Sequence, residues 1–90
     1  MQAIYKYNLN ITDRQTIDFP SDTILSVQEQ DGKIVVYAIA YSNLASRTYE
    51  FIVIGTGHSI HFDVALYKYL GTVKLIGGRL MFHVFYKAII

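Results

Sequence analysis

The chain has no cysteine, no tryptophan and a single proline. Without thiols there is no disulfide framework, no thiolate metal site and no cysteine nucleophile. Charge is sparse as well. Charged residues make up 17% of the chain, eight cations against seven acids, for a formal net charge of +1. Duplex DNA binders normally show a clear basic excess, so that class is set aside. Long apolar runs are missing too: the two longest, 34–41 and 80–86, have the length of strands and fall short of the ~20 residues a bilayer-spanning helix needs. The opening Met1-Gln2-Ala3-Ile4-Tyr5-Lys6 lacks the basic stretch, apolar run and small-residue cleavage site of a secretory signal. A cytoplasmic protein with no membrane association is the expectation.

What is present is apolar and aromatic. Hydrophobic residues make up 52% of 90 positions, with eight tyrosines and five phenylalanines, too apolar for a disordered chain and short enough for one domain spanning 1–90. Such a small domain hides only a little over ~60% of the surface its unfolded chain exposes, so one core must do most of the stabilising. β-Branched and aromatic residues recur in short runs separated by turn residues, which is the pattern of an all-β chain. The expected fold is a small antiparallel sandwich or partly closed barrel built from hairpins. Strands are expected over 3–9 and 49–54, and the short run 16–19 entering Pro20 reads as an edge.

Two turn signals set registers. Asp31-Gly32 suits the left-handed backbone of a two-residue hairpin turn. It places Glu29, Val27 and Leu25 opposite Ile34, Val36 and Ala38 on a dry face, and Gln30, Gln28, Ser26 and Ile24 opposite Lys33, Val35, Tyr37 and Ile39 on the other. Gly77-Gly78 does the same further on, pairing Leu75, Val73, Gly71, Tyr69 and Tyr67 with Leu80, Phe82, Val84, Tyr86 and Ala88 as a core face. The reverse of that hairpin carries Lys74, Arg79, Met81, His83 and Phe85, a mixture too apolar for a plain solvent face. This register also sets Lys68 against Lys87, a repulsive pair that a bulge near Gly71, strand twist or a bound anion would relieve.

Few constellations carry chemistry. Gly55-Thr56-Gly57-His58 follows a strand directly, and its backbone N–H groups either curve around an anion or form a tight turn in which glycine supplies positive φ. It is neither a Walker loop nor a dinucleotide fingerprint. His58, His61 and Asp63 invite a metal reading, with His83 as a further imidazole, but no complete ligand set can be identified and no metal is expected. Ser59 beside His58 has no support as a hydrolytic pair, and scattered carboxylates leave no paired-acid site. Tyr5-Lys6-Tyr7 and Tyr67-Lys68-Tyr69 interleave rings with cations as single-strand nucleic-acid platforms do. Strand alternation instead turns those rings inward and the lysines outward, so a nucleic-acid partner is not expected.

The order and spacing of Tyr5-x-Tyr7-x-Leu9, Asp13-x-Gln15-x-Ile17, Ile24-Leu25-Ser26-Val27-Gln28 with Asp31-Gly32, Ile54-Gly55-Thr56-Gly57-His58, Tyr69-Leu70-Gly71-Thr72-Val73 and Phe82-His83-Val84-Phe85 resemble a family of small uncharacterised proteins of tailed bacteriophages. The resemblance spans nearly the whole chain and departs from the family between Ser59 and Tyr67. It implies a protein acting in the cytoplasm of an infected bacterium, without catalysis and without a cofactor. Three roles follow: a binding module directed at a host or immune-system protein, a sponge for a phosphate-containing nucleotide signal of antiphage immunity, or a virion-associated structural component. The expected binding residues are Gly55, Thr56, Gly57, His58, Lys74, Arg79 and His83. The apolar end Ala88-Ile89-Ile90 and the mixed hairpin face together lead to the expectation of a homodimer.

Overall fold

A computed structural model describes residues 1–89, and Ile90 lies outside the described residues. Seven strands follow one another: β1 (Gln2–Leu9), β2 (Gln15–Phe19), β3 (Thr23–Gln30), β4 (Lys33–Tyr41), β5 (Arg47–Gly55), β6 (Lys68–Leu75) and β7 (Leu80–Ile89). The one helical element among the described residues is a single 3-10 turn, Val64–Leu66. The strands form a three-stranded sheet in the order β1-β4-β3 and a four-stranded sheet in the order β2-β5-β7-β6. All the pairings are antiparallel. The fold is the all-β sandwich read from the sequence, and it does not close into a barrel. As expected, β2 is an edge.

The inward faces bury Val27, Ile34, Val36 and Ala38 from one sheet against Phe19, Tyr49, Phe51, Val53, Val73, Leu75 and Val84 from the other. Rings from both sheets run through this core. Tyr7 stacks on Phe19 at 4.3 Å, Phe19 on Tyr49 at 5.0 Å, and Tyr49 lies 6.3 Å from Tyr86. The Tyr49 hydroxyl is satisfied inside, donating to the Ser21 carbonyl at 2.6 Å. Burial first of all pushes the Tyr49 phenol above its ordinary pKa, with the Arg47 guanidinium partly opposing.

Both hairpin turns form where the sequence puts them. Asp31 and Gly32 take φ of +52° and +78°, the mirror-image turn that matches strand twist, and the Gly32 N–H donates to the Glu29 carboxylate at 2.6 Å. At the second turn the Arg79 N–H donates to the Ile76 carbonyl at 3.1 Å across Gly77-Gly78. Ile76 itself sits at φ +52°, a conformation that strains a β-branched residue.

The registers hold near the turns and fail further out, in both cases through a bulge. Ser26 faces Tyr37 as expected, but the pairing then shifts, so Ile24 rather than Leu25 faces Ala38. Ile24 packs on the core and Leu25 stands in solvent. In the second hairpin Gly71 faces Val84, after which the pairing shifts at Leu70 and sets Tyr69 against Phe85 and Lys68 against Tyr86. The Lys68–Lys87 opposition is removed by the bulge, and the expected Tyr69–Tyr86 and Tyr67–Ala88 pairs do not form. The expectation that the Tyr-Lys-Tyr rings all point inward fails in both segments: Tyr7 packs on the core, whereas Tyr5 on β1 and Tyr69 on β6 are exposed.

The two bulged strands, β3 and β6, are the edges where the sheets converge and touch. Bulges bend and twist a strand locally, and that bend brings the edges together. The approach is so close that a Cβ built on Gly71 would lie 2.9 Å from Val27 Cγ1. Gly71→Ala is therefore expected to lower stability by about 1–3 kcal/mol. In a Val27→Ala background the same substitution should cost clearly less. Urea midpoints of the four proteins of this cycle measure the difference, and an equal cost in both backgrounds would contradict the contact.

Candidate functional site

The outer face of the four-stranded sheet is the reverse of the second hairpin, and the chain covers part of it with its own segment 56–67. Phe62 packs edge-on against Phe85 at 5.3 Å and against Tyr67 at 5.1 Å. Beneath this cover Ile52 is 3% exposed and Glu50 only 8%, although both face away from the core. Some of the apolarity read as an interface is thus satisfied within the chain.

Burying Glu50 requires partners. The Tyr67 hydroxyl donates to its Oε2, and Arg14 Nε lies 3.4 Å from the same oxygen. The Lys87 ammonium rests over the Tyr67 ring, 4.7 Å from its centroid, a favourable cation–π placement. Asp63 starts the 3-10 turn by accepting the Ala65 N–H at 3.1 Å, so this carboxylate is a cap. Among the described residues no three His, Asp or Glu side chains gather as metal ligands. His61 and Ser59 instead line a small depression with Arg14 and Phe62.

Past the covering segment, the outer face opens into a shallow depression of about 440 Å³ between Gly55, His58, Ile60, Tyr69 and His83, within the size range of small-ligand sites. Its position follows from strand alternation. β7 turns His83 outward between Ile54 of β5 and Thr72 of β6. The Thr56 hydroxyl lies 2.7 Å from His83 Nε2 and the Thr72 hydroxyl 2.9 Å from His83 Nδ1. Thr72 in turn bonds the Tyr69 hydroxyl. A neutral imidazole donates from one nitrogen and accepts at the other, and hydroxyls, which do both, can serve either tautomer.

The Gly55–His58 segment forms a tight turn. The Thr56 N–H donates to the Met81 carbonyl and the His58 N–H to the Gly55 carbonyl, both at 3.1 Å. Gly57 supplies a φ of +89°. The His58 ring folds back over Gly55, where an added Cβ would stand 3.2 Å from its Cε1.

Of the residues expected to bind, Gly55, Thr56, Gly57, His58 and His83 therefore come together at one depression, and Lys74 and Arg79 do not line it. Lys74 pairs with Met81 nearer the hairpin tip, and Arg79 lies in the turn itself. Sequence reasoning missed Thr72, Tyr69 and the Glu50–Tyr67–Arg14 cluster. Thr72 was legible, since the register already set it against His83. Tyr69 reaches the outer face only through the bulge, and the cluster depends on where the covering segment folds.

Burial, then the hydrogen bond to Glu50, raises the Tyr67 phenol above its ordinary 10.0. Tyr7 and Tyr49 are raised as well, chiefly by burial. A folded-state pKa above the unfolded one gives stability that is full below pH 10 and is lost as pH rises through the folded value. Alkaline unfolding should accordingly be steep above about pH 10. In Tyr67→Phe the slope should be shallower, as read from the melting temperature between pH 8 and 11. An unchanged slope would show that Tyr67 does not contribute.

A family model described as a domain of unknown function (DUF7352) matches residues 1–89. Neither the curated proteins nor the solved structures contain a match to the chain.

Proposed function

The chain belongs to the DUF7352 family, a domain of unknown function, and on that premise we propose that it works by binding, without catalysis. Its contact surface is the outer face around His83, and its partner is a protein of an infected bacterial host. The observation that carries this reading is the engagement of both His83 ring nitrogens by the Thr56 and Thr72 hydroxyls. His83 is tied into a fixed scaffold by both nitrogens, and no carboxylate among the lining residues stands by to orient either it or His58 as a base. Around it stand exposed Ile60 and Tyr69, side chains of the kind that form interface centres. The resemblance to small tailed-bacteriophage proteins supplies the source of the partner and the cytoplasmic setting.

The surface is tested by pull-down from host lysate with the wild type and an Ile60→Asp, Tyr69→Asp double variant. A host protein retained by the wild type should be lost with the variant, and the purified pair should bind at least about tenfold more weakly, the scale of losing one or two interface anchors. Equal retention would clear this face of a role. Self-association belongs to the same proposal, since Ile4, Leu25 and Ile89 also remain exposed. Light scattering at micromolar concentration should give twice the chain mass of 10.3 kDa, and a value at the chain mass would refute the dimer.

A further inference from the structure

The register shift in β6 has a second effect, further along β7 toward Ile89. The last β6–β7 pair is Lys68 with Tyr86, while β7 runs on to Ile89. Over 87–89 one edge of β7 therefore has no neighbouring strand, and a notch opens there at the end of the sandwich. Arg47, Lys68 and Lys87 line it together with a single carboxylate, Asp22. Three cations against one acid in a chain with eight against seven make this a local concentration of positive charge. None of the three is ion-paired among the described residues, where the ion pair found is that of Arg14 with Glu50. The walls behind them are the Tyr49 and Tyr86 rings with Ile24, Leu66 and Ala88. At about 390 Å³ the notch has room for a small organic molecule.

We propose that this notch binds a small phosphorylated molecule with a flat apolar body. A phosphomonoester carries about −1.5 to −2 charge near neutrality, enough to engage several cations at once. Arg47 offers a planar fork for two phosphate oxygens, and lysine ammoniums act as point charges beside it. Lys68 enters from the start of β6, and Lys87, resting on the Tyr67 ring, closes the rim from the outer side. The free β7 edge adds backbone polar groups that no strand occupies. The aromatic and aliphatic walls suit a flat ring, and Asp22 is placed to accept from a hydroxyl or amine on it. A nucleic-acid strand fits less well, because the three cations converge on one notch and do not form a track along the molecule. This site is separate from the His83 depression, and it stands whether or not that face binds a protein.

Calorimetric titration with adenosine 5′-monophosphate, adenosine and inorganic phosphate tests the proposal. The monophosphate should bind, with adenosine and phosphate each weaker by about tenfold or more, since each lacks one of the two recognised parts. Lys68→Gln, at an exposed position, should raise the monophosphate Kd several-fold, and the Arg47→Gln, Lys68→Gln pair by at least about tenfold. Circular dichroism confirms that each variant is folded. A Lys74→Gln, Arg79→Gln variant, equal in charge change but at the hairpin tip, should bind as the wild type does. Amide shifts in NMR titration should centre on 87–89. Adenosine binding as tightly as the monophosphate, equal losses in both double variants, shifts centred on Thr56 and His83, tighter binding of an oligothymidine strand, or no binding at millimolar monophosphate would each overturn the assignment.

Discussion

The stack of rings between the sheets is the contact on which the remaining structure rests. Tyr7 belongs to the three-stranded sheet, and Phe19, Tyr49 and Tyr86 to the four-stranded one. Stacked rings gain about 0.5–1.5 kcal/mol per pair beyond the area they bury, and as large rigid bodies they also set the gap between the layers. Among the described residues no such stack lies at the β3–β6 side. There the sheets close until Val27 meets the bare backbone of Gly71. The sandwich is wedged open by aromatics along one side and pinched shut at the other.

That asymmetry shapes the outer surfaces. The pinch needs bends in β3 and β6, and each bend inserts a residue that reverses the facing of what lies beyond it. On β3 it exchanges Leu25 for Ile24 in the core. On β6 it brings Leu70 inward and sends Tyr69 out to stand beside Phe85, 5.4 Å away. The arrival of the Tyr69 hydroxyl on Thr72 and the notch beside Lys68 are both products of this one irregularity in the ladder.

Turn chemistry made the middle of each hairpin legible, because Asp31-Gly32 and Gly77-Gly78 favour one geometry and strand alternation then assigns every side chain to a face. The pairing of Thr72 with His83 was accessible in this way, as the all-β class was from the β-branched and aromatic runs and the β2 edge from Pro20; the gathering of Gly55, Thr56, Gly57 and His58 beside His83 depends on the pairing of β5 with β7, which no turn signal announces. Bulges were not, because Leu25 and Leu70 are apolar residues in apolar runs and read equally well in either register. The anticipated clash of Lys68 with Lys87 pointed to an irregularity near Gly71 without fixing it at Leu70. The covering segment was opaque for a different reason. Phe62 and Tyr67 pack through long-range contacts that leave no period in the sequence, so the burial of Glu50 beneath them could not be read. Lys74 and Arg79 were grouped with His83 by sharing a face, but distance along the strands separates them.

The order of the strands carries a consequence for how the molecule comes together. β1 pairs with β4 while β2 pairs with β5, so the two closures interlock along the chain. The three-stranded layer lies wholly within residues 2–41, whereas the four-stranded layer must take β2 from inside that same stretch and pair it with β5. The two hairpins can form early as local units, but joining them requires the chain to close long loops before burial rewards it, the regime in which β proteins fold in milliseconds to seconds. A break between β4 and β5 would sever one ladder, leaving β2 on the first piece and its partner β5 on the second, so the exchange of that single edge strand ties the two layers into one unit.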